Sequence, residues 1–308
     1  MTSATLLLPA RDSFGGQRLT PEVAKALGRG DRSLAGAQHA RLFDILPRGW
    51  PVAAVTRQRD AGDASQSAWL RADPAYVRPD INGARLLAYG AALALTPEEA
   101  DELLRPLRPL FGDSGFTIDA PVPSRWYLRL PREARLPVFH GPDEALGADL
   151  FEHLPDGPEG RRWRALLSEA QVVLHNHPVN ARRAAAGKAP VNSLWFWGAS
   201  AMPDHVTTTH TAIFSDDDAV QAFAAMAKAV AMPLPGRFGQ VEGQSVFDLR
   251  YVRDLALLQS QWMEPLLGAL RSGDVATASL EFADGTRFVL RAGQRWRFWR
   301  RPLPSIAA

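Results

Sequence analysis

Apolar and polar positions along the 308-residue chain switch between a period of two and a period near 3.6, and each switch marks an expected element. The opening run ATLLLP predicts a short buried strand closed by Pro9. Thr20, Pro21 and Glu22 form a helix start: a capping residue, a first-turn proline and an acid near the positive helix end. AQHARLFDIL predicts a second helix, broken by Pro47 and Gly49, and PVAAVTR a following strand. From Trp69 to Leu130 the pattern reads ββαββ. Within it ARLLAYG is a strand, Thr96-Pro97-Glu98-Glu99 opens a helix through ADELLRPLRPLF, and GFTID and RWYLRL alternate as paired strands. Pro106 and Pro109 are expected to shorten or kink that helix.

Residues 131–160 are rich in proline and glycine and read as a long surface connection. A helix over about 160–170 leads into VVLHNHPVN, and VTTTHTAIF reads as a strand. Ser215 is expected to cap a helix whose first turn is Asp216, Asp217 and Asp218. A strand at SVFDLR precedes a helix at LALLQSQWMEPLLGAL. The segment beyond is β-rich, with Asp284-Gly285 as a hairpin turn. Its last part, Arg291 to Arg301, alternates basic and aromatic residues and is expected to be an amphipathic strand with its tryptophans packed inward. Strands alternating with helices predict an α/β class with an inserted α+β subdomain.

Composition narrows the chemistry. With 46% hydrophobic residues the chain can bury a sizeable core. A net charge of +2, from 35 basic and 33 acidic residues, argues against a counterion-releasing nucleic-acid surface. The absence of cysteine excludes disulfides, thiolate metal sites and cysteine nucleophiles. No run approaches the roughly 20 apolar residues that span a bilayer, so a cytoplasmic protein without membrane or nucleic-acid partners is expected.

The densest chemistry lies in LHNHPVNARRAAAGKAPVNSLWFWG, Leu174 to Gly198. His175 and His177, two apart, would share a face on a strand and could share a metal, although Pro178 would end any strand there. Arg183 offers two-pronged recognition of carboxylate or phosphate, Lys188 adds a point charge, and Gly187 permits a turn that could aim backbone N–H groups inward. On pattern alone, a solvated basic helix explains ARRAAAGK more simply.

The same segment resembles a motif of the archaeal-type, cofactor-independent phosphoglycerate mutases. The matching positions are His177, Pro178, Asn180, Arg183, Gly187, Asn192, Trp195, Trp197 and Gly198. ARLLAYGAALALTPEEADELLRPL is similar to the strand and helix of that family's inserted subdomain. LLLPARDSFGGQRL, WLRADPAYVRPD, RWYLRL, WMEPLLGALRSGD and FWRRPL together resemble the RpfE-type regulatory proteins, a bacterial group distantly related to the mutases. The resemblance implies a reduced alkaline-phosphatase-like sheet-and-helix core, formed by residues 1–66 and 155–308, with residues 67–154 as inserted subdomain and connecting loop. The mutases use two divalent metals and a serine nucleophile, and their Asp-Gly metal motif after the first strand is replaced here by Pro9, Ala10 and Arg11. The expectation is a non-catalytic regulatory protein with no metal ligands and no cofactor. It would bind a small phosphorylated or carboxylated metabolite, or a regulatory protein partner, through His177, Asn180, Arg183, Lys188 and Asn192. The alternative is a Mg- or Mn-dependent phosphoglycerate mutase or phosphohydrolase with rearranged ligands, drawing on His175, His177, Asp204, His205 or His210.

Overall fold

A computed structural model describes residues 2–36, 38–81, 83–131 and 134–307, apart from the side chains of residues 39 and 40. The chain folds as a mixed α/β protein with open sheets, divided into two units: residues 1–49 with 204–308, and residues 50–203. The expected boundaries at 66/67 and 154/155 differ from this division. The reason is hydrogen bonding: the Ser193–Ser200 strand pairs along Ala68–Asp80, so the aromatic block completes the sheet of the central unit.

The first unit is built on a seven-stranded sheet in the order Val230–Met232, Ala212–Phe214, Gln244–Asp248, Ser3–Leu8, Thr277–Phe282, Thr286–Leu290, Asp31–Leu34. The first five run parallel and the last two join antiparallel. Leu6 lies between Phe247 and Leu280 in register, and these side chains, with Ala4 and Leu8, enter one core beneath the helices Pro21–Arg29 and Leu255–Ser272. A π-type turn at Gln259–Met263 lies within the second of these helices, where Trp262 and Met263 are buried. Burial on both faces explains why ATLLLP is apolar without alternation.

The central unit carries an antiparallel sheet in which the long strand Ala68–Asp80 pairs with Arg125–Leu130, Gly83–Tyr89 and Ser193–Ser200. The ββαββ order from Trp69 to Leu130 is present. The helix Pro97–Asp113 runs through both internal prolines. Its apolar stripe of Leu103, Leu104, Leu107 and Phe111 is buried, while Pro109 is exposed and Pro106 half-buried, so the carbonyls that the prolines leave unpaired face the wet side. Thr96 and Glu99 form a capping box at the expected helix start.

Three expected elements come out differently. PVAAVTR is helical, within Val52–Ala61: Val52, Val55 and Thr56 recur at helical spacing, and the Thr56 hydroxyl donates to the Val52 carbonyl at 2.7 Å. Of AQHARLFDIL, Ala37 lies outside the described residues, Gln38–Leu42 is a short helix and Asp44–Leu46 a strand paired with His205–Thr207. VTTTHTAIF accordingly divides into two strands, His205–Thr207 and Ala212–Phe214, in different sheets. The expected surface connection over 131–160, whose residues 132 and 133 lie outside the described ones, includes the short helices Pro142–Ala145 and Leu150–His153.

The segment beyond the last strand also departs from expectation. It forms a 3-10 turn, Ala292–Trp296, and then irregular chain, with Trp296, Phe298 and Trp299 at 67, 81 and 67% exposure. Two of the arginines bond the scaffold instead: Arg297, half-buried, donates to Asp31 at 2.5 Å, and Arg300 to the Gly30 carbonyl at 2.7 Å. Leu303 N–H bonds the Ala24 carbonyl, which lays the chain across Gly28. A β-carbon at Gly28 would meet the Arg301 carbonyl and lie 2.9 Å from Leu303 N. Gly28→Ala is therefore expected to cost about 1–3 kcal/mol by overpacking. Thermal unfolding checks this, and an unchanged Tm would mean the contact is not fixed.

Candidate functional site

The Leu174–Gly198 segment folds as a helix end, a second short helix and a strand. His175 closes the helix Gly157–His175, and His177 is the N-cap of Pro178–Ala185, its ring Nδ1 accepting from Val179 N–H at 3.3 Å. The two histidines therefore sit at opposite helix ends, so the shared strand face imagined for a metal does not form. Gly187, at φ 70°, lies in the left-handed region, and its N–H bonds the Ala184 carbonyl while Lys188 N–H bonds that of Arg183. The backbone donors expected to face an anion close the helix instead.

Three of the five expected ligand residues are drawn into the scaffold. Asn180 Nδ2 donates to the Leu174 and Val191 carbonyls at 2.7 and 2.8 Å, and its Oδ1 accepts Val191 N–H at 2.8 Å. Asn192 imitates a strand: Oδ1 accepts Val77 N–H at 2.9 Å, and Nδ2 donates to the Val77 carbonyl at 2.7 Å. The Arg183 side chain has 0% exposure. Its Nε donates to the Ala189 carbonyl at 2.8 Å, Nη1 to Glu99 Oε2 at 2.6 Å and Nη2 to the Leu93 carbonyl at 2.5 Å. A guanidinium so enclosed cannot meet a ligand without leaving the fold. It ties the start of Pro97–Asp113 to the end of Pro178–Ala185. Of the expected set only Lys188 is fully exposed, and His177 is half-buried.

The adjoining aromatic block serves a second buried ion pair that sequence reading missed. Arg71 and Asp73, 5% and 0% exposed, bond through Nε to Oδ1 at 2.9 Å and Nη2 to Oδ2 at 2.8 Å. Trp197 Nε1 donates to the same Oδ2 at 2.7 Å, which explains a tryptophan in that strand. Arg57 stacks over the Trp69 ring at 4.2 Å and bonds Asp63 and Asp119 at 2.6 and 2.5 Å. Tyr127, whose hydroxyl donates to Asp60 at 2.6 Å, is pushed above the usual phenol range by burial.

A different cluster occupies the position where open parallel sheets place ligand sites. The connection leaving Ala212–Phe214 runs to the edge strand Val230–Met232, whereas the one leaving Gln244–Asp248 runs the other way, to Thr277–Phe282. Right-handed crossovers in opposite directions lie on opposite faces, and such a switch point is where open sheets place a ligand crevice, outside the carboxyl ends of the strands. Ser215 follows the first strand and Asp248 ends the second, and the buried Ser215 hydroxyl donates to Asp248 Oδ2 at 2.7 Å. Arg250 grips Asp248 with Nε and Nη2, both at 2.7 Å, and Nη2 also reaches Asp217 at 3.0 Å. Asp217, and not Ser215, is the cap of Asp218–Met226, accepting from Ala219 and Val220 N–H.

The Arg250 pKa is raised, with desolvation opposed by Asp248 and Asp217, so the guanidinium is always charged. Three of its five N–H donors are engaged, and among the described residues nothing accepts from Nη1. Its side chain is 25% exposed. The only sequence signal for this cluster was the Asp run at 216–218. Among the described residues no three of His, Asp and Glu converge into a group that could hold a metal, so these residues do not fit a two-metal centre. Of the histidines weighed for one, His205 lies exposed in the strand paired with Asp44–Leu46. His210 Nδ1 is buried with no hydrogen-bond partner among the described residues, and burial lowers its pKa.

No family model matches the chain. It is 42% identical over 62 residues to a probable 2,3-bisphosphoglycerate-independent phosphoglycerate mutase of Geobacter sulfurreducens, covering 20% of this chain and 16% of that one. It is 31% identical over 106 residues to the corresponding mutase of Methanosarcina acetivorans, covering 33% and 27%. It is 24% identical over 153 residues to that of Methanothrix thermoacetophila, covering 48% and 38%. The matches thus take in less than two-fifths of each relative. Among solved structures, a cofactor-independent phosphoglycerate mutase from Thermoplasma acidophilum aligns with TM-score 0.44 at 16% identity over 94% of this chain and 89% of that one. The PH0037 protein from Pyrococcus horikoshii aligns with TM-score 0.47 at 12% identity over 94% and 87%. The chain has family-level similarity to phosphoglycerate-mutase-like proteins.

Two outcomes follow for the Leu174–Gly198 segment. Arg183→Leu leaves Glu99 and two carbonyls without their donor and is expected to cost about 3–5 kcal/mol in urea unfolding; a loss below about 1 kcal/mol would remove the structural role. Burial lowers the His177 pKa, so the unfolded chain takes up its proton at higher pH than the folded one. Stability is therefore expected to fall from about pH 7 toward pH 5, and less steeply in His177→Asn, which keeps a capping side chain. A wild-type midpoint that is flat or rises across that window would contradict the assignment.

Proposed function

We propose that this chain is a phosphoglycerate-mutase-like protein that binds a small phosphorylated acid in the crevice at the carboxyl ends of the parallel strands. It does so in the regulatory manner of the RpfE-type group, without turnover. The observation that carries the reading is the Ser215–Asp248–Arg250–Asp217 array. Its rigid guanidinium keeps Nη1 donors for a phosphate or carboxylate oxygen, and two aspartates fix its orientation. The hydroxyl nearest to it is buried, and the carboxylate that accepts from it is held by Arg250, which makes that carboxylate a weak base, so the hydroxyl is a poor nucleophile. A positive charge that two metal ions would supply to phosphoryl transfer is here provided in part by a fixed arginine, which suits holding an anion better than transferring it.

The mutases named among the relatives favour a second reading, a metal-dependent phosphoglycerate mutase or phosphohydrolase that assembles its ligands when metal and substrate arrive. Thermal shift with 2- and 3-phosphoglycerate, each with and without Mn, separates the two. A ligand at 100 times its Kd adds about 2.7 kcal/mol of stability. A metal-independent shift that disappears in Arg250→Gln supports the binding protein. A shift that needs Mn, with interconversion of the two phosphoglycerates, supports the enzyme. No shift under any condition removes both.

A further inference from the structure

The first unit contains a cavity of about 420 Å³ between the helix Pro21–Arg29, the last turns of Leu255–Ser272 and the 3-10 turn Ala292–Trp296. This volume lies within the roughly 300–1,000 Å³ of small-molecule sites. Its walls sort into two chemistries. Ala26, Leu267, Leu270 and Leu290 make an apolar floor, and Lys25, Arg29, Arg271, Arg291 and Arg295 stand around it, with Glu22 the one acid in the lining. Glu22 is paired with Arg271, and Arg291 with Asp31. Lys25 and Arg295 are exposed. Arg29 Nη1 donates to the Arg295 carbonyl at 2.7 Å, while its Nε is buried and has no acceptor among the described residues. A buried guanidinium nitrogen without an acceptor carries a desolvation cost that an anion nearby would relieve.

The chain that follows Arg295 is equally unusual. Arg295 stacks over Trp296 at 5.0 Å, and Trp296, Phe298 and Trp299, which follow it in the chain, are exposed. Their backbone is fixed by the arginine bonds to Asp31 and Gly30, so the aromatic rings are held outward by the fold. A leucine floor and a cationic rim match one ligand chemistry, an apolar chain ending in an acidic head.

We infer that this cavity binds an amphiphilic anion, with the apolar chain on Leu267, Leu270 and Leu290 and the carboxylate or phosphate head among Lys25, Arg29 and Arg295. The site shares no residue with the carboxyl-edge crevice and stands independently of its function. The head group could arrive on a free acid or on a lipid. Calorimetry of the full chain with decanoate and with 1-decanol tests the free acid, and flotation with phosphatidylglycerol or phosphatidylcholine vesicles tests the lipid.

Decanoate binding at least about tenfold tighter than decanol, and weakened about tenfold or more in Lys25→Glu/Arg295→Glu, supports the site with a free acid as its source. Binding to phosphatidylglycerol alone, lost in the same variant, supports it with a lipid as the source. Leu267→Trp fills the floor and is expected to remove either interaction while the charge rim stays intact. Equal affinity for decanoate and decanol, affinity unchanged in both variants, or no binding of any probe overturns the inference. Both reversed side chains are exposed, so an unaltered Tm of the variant identifies a loss of binding as local.

Discussion

A buried guanidinium must find acceptors for its donors inside the fold, and this constraint organises the central unit. Removing a charged group from water costs several kcal/mol unless partners compensate, and arginine cannot escape by losing its proton. Arg183 meets the demand with one carboxylate and two main-chain carbonyls, Arg71 with both oxygens of Asp73. Each arrangement admits one relative placement of the elements that supply the acceptors. Apolar packing alone would tolerate several, because methyl groups carry no direction.

The same constraint decides what the polar side chains are available to do. Asn180, Asn192 and Arg183 have the composition of a ligand site, yet their hydrogen bonds are closed by backbone groups and, for Arg183, by Glu99 as well. At the carboxyl edge the closure is incomplete. Asp248 and Asp217 hold Arg250 by Nε and Nη2, and Nη1 remains. Carboxylates already neutralised by arginine have little left to offer a divalent cation, which is the electrostatic reason why the acids here do not gather as metal ligands.

Much of the fold could be read along the chain wherever a local rule has one solution. The helix start at Thr96 to Glu99, the Asp284-Gly285 hairpin and the uninterrupted ATLLLP strand each formed as expected. Misreadings cluster where burial erases periodicity. Val52 to Arg57 is buried on all sides, so VAAVT looked like a strand although its β-branched residues recur with helical spacing. The tail inverted for a related reason: two of its arginines found acceptors at Asp31 and Gly30, which left the tryptophans and Phe298 outside.

By itself the sequence determined the class of the fold, the capped helices, the absence of cysteine chemistry and the resemblance to phosphoglycerate-mutase-like proteins. These follow from local propensity, composition and short motifs, which need no knowledge of distant partners. Tertiary structure alone decided that Arg183 faces Glu99, 84 positions away, and that Ser215 meets Asp248, 33 positions away. It also set Arg29 beside Arg295, 266 positions apart, on a shared cavity. Whether a polar side chain is a ligand donor or an internal brace depends on which acceptors the fold brings within about 3 Å, and no spacing along the chain encodes that distance.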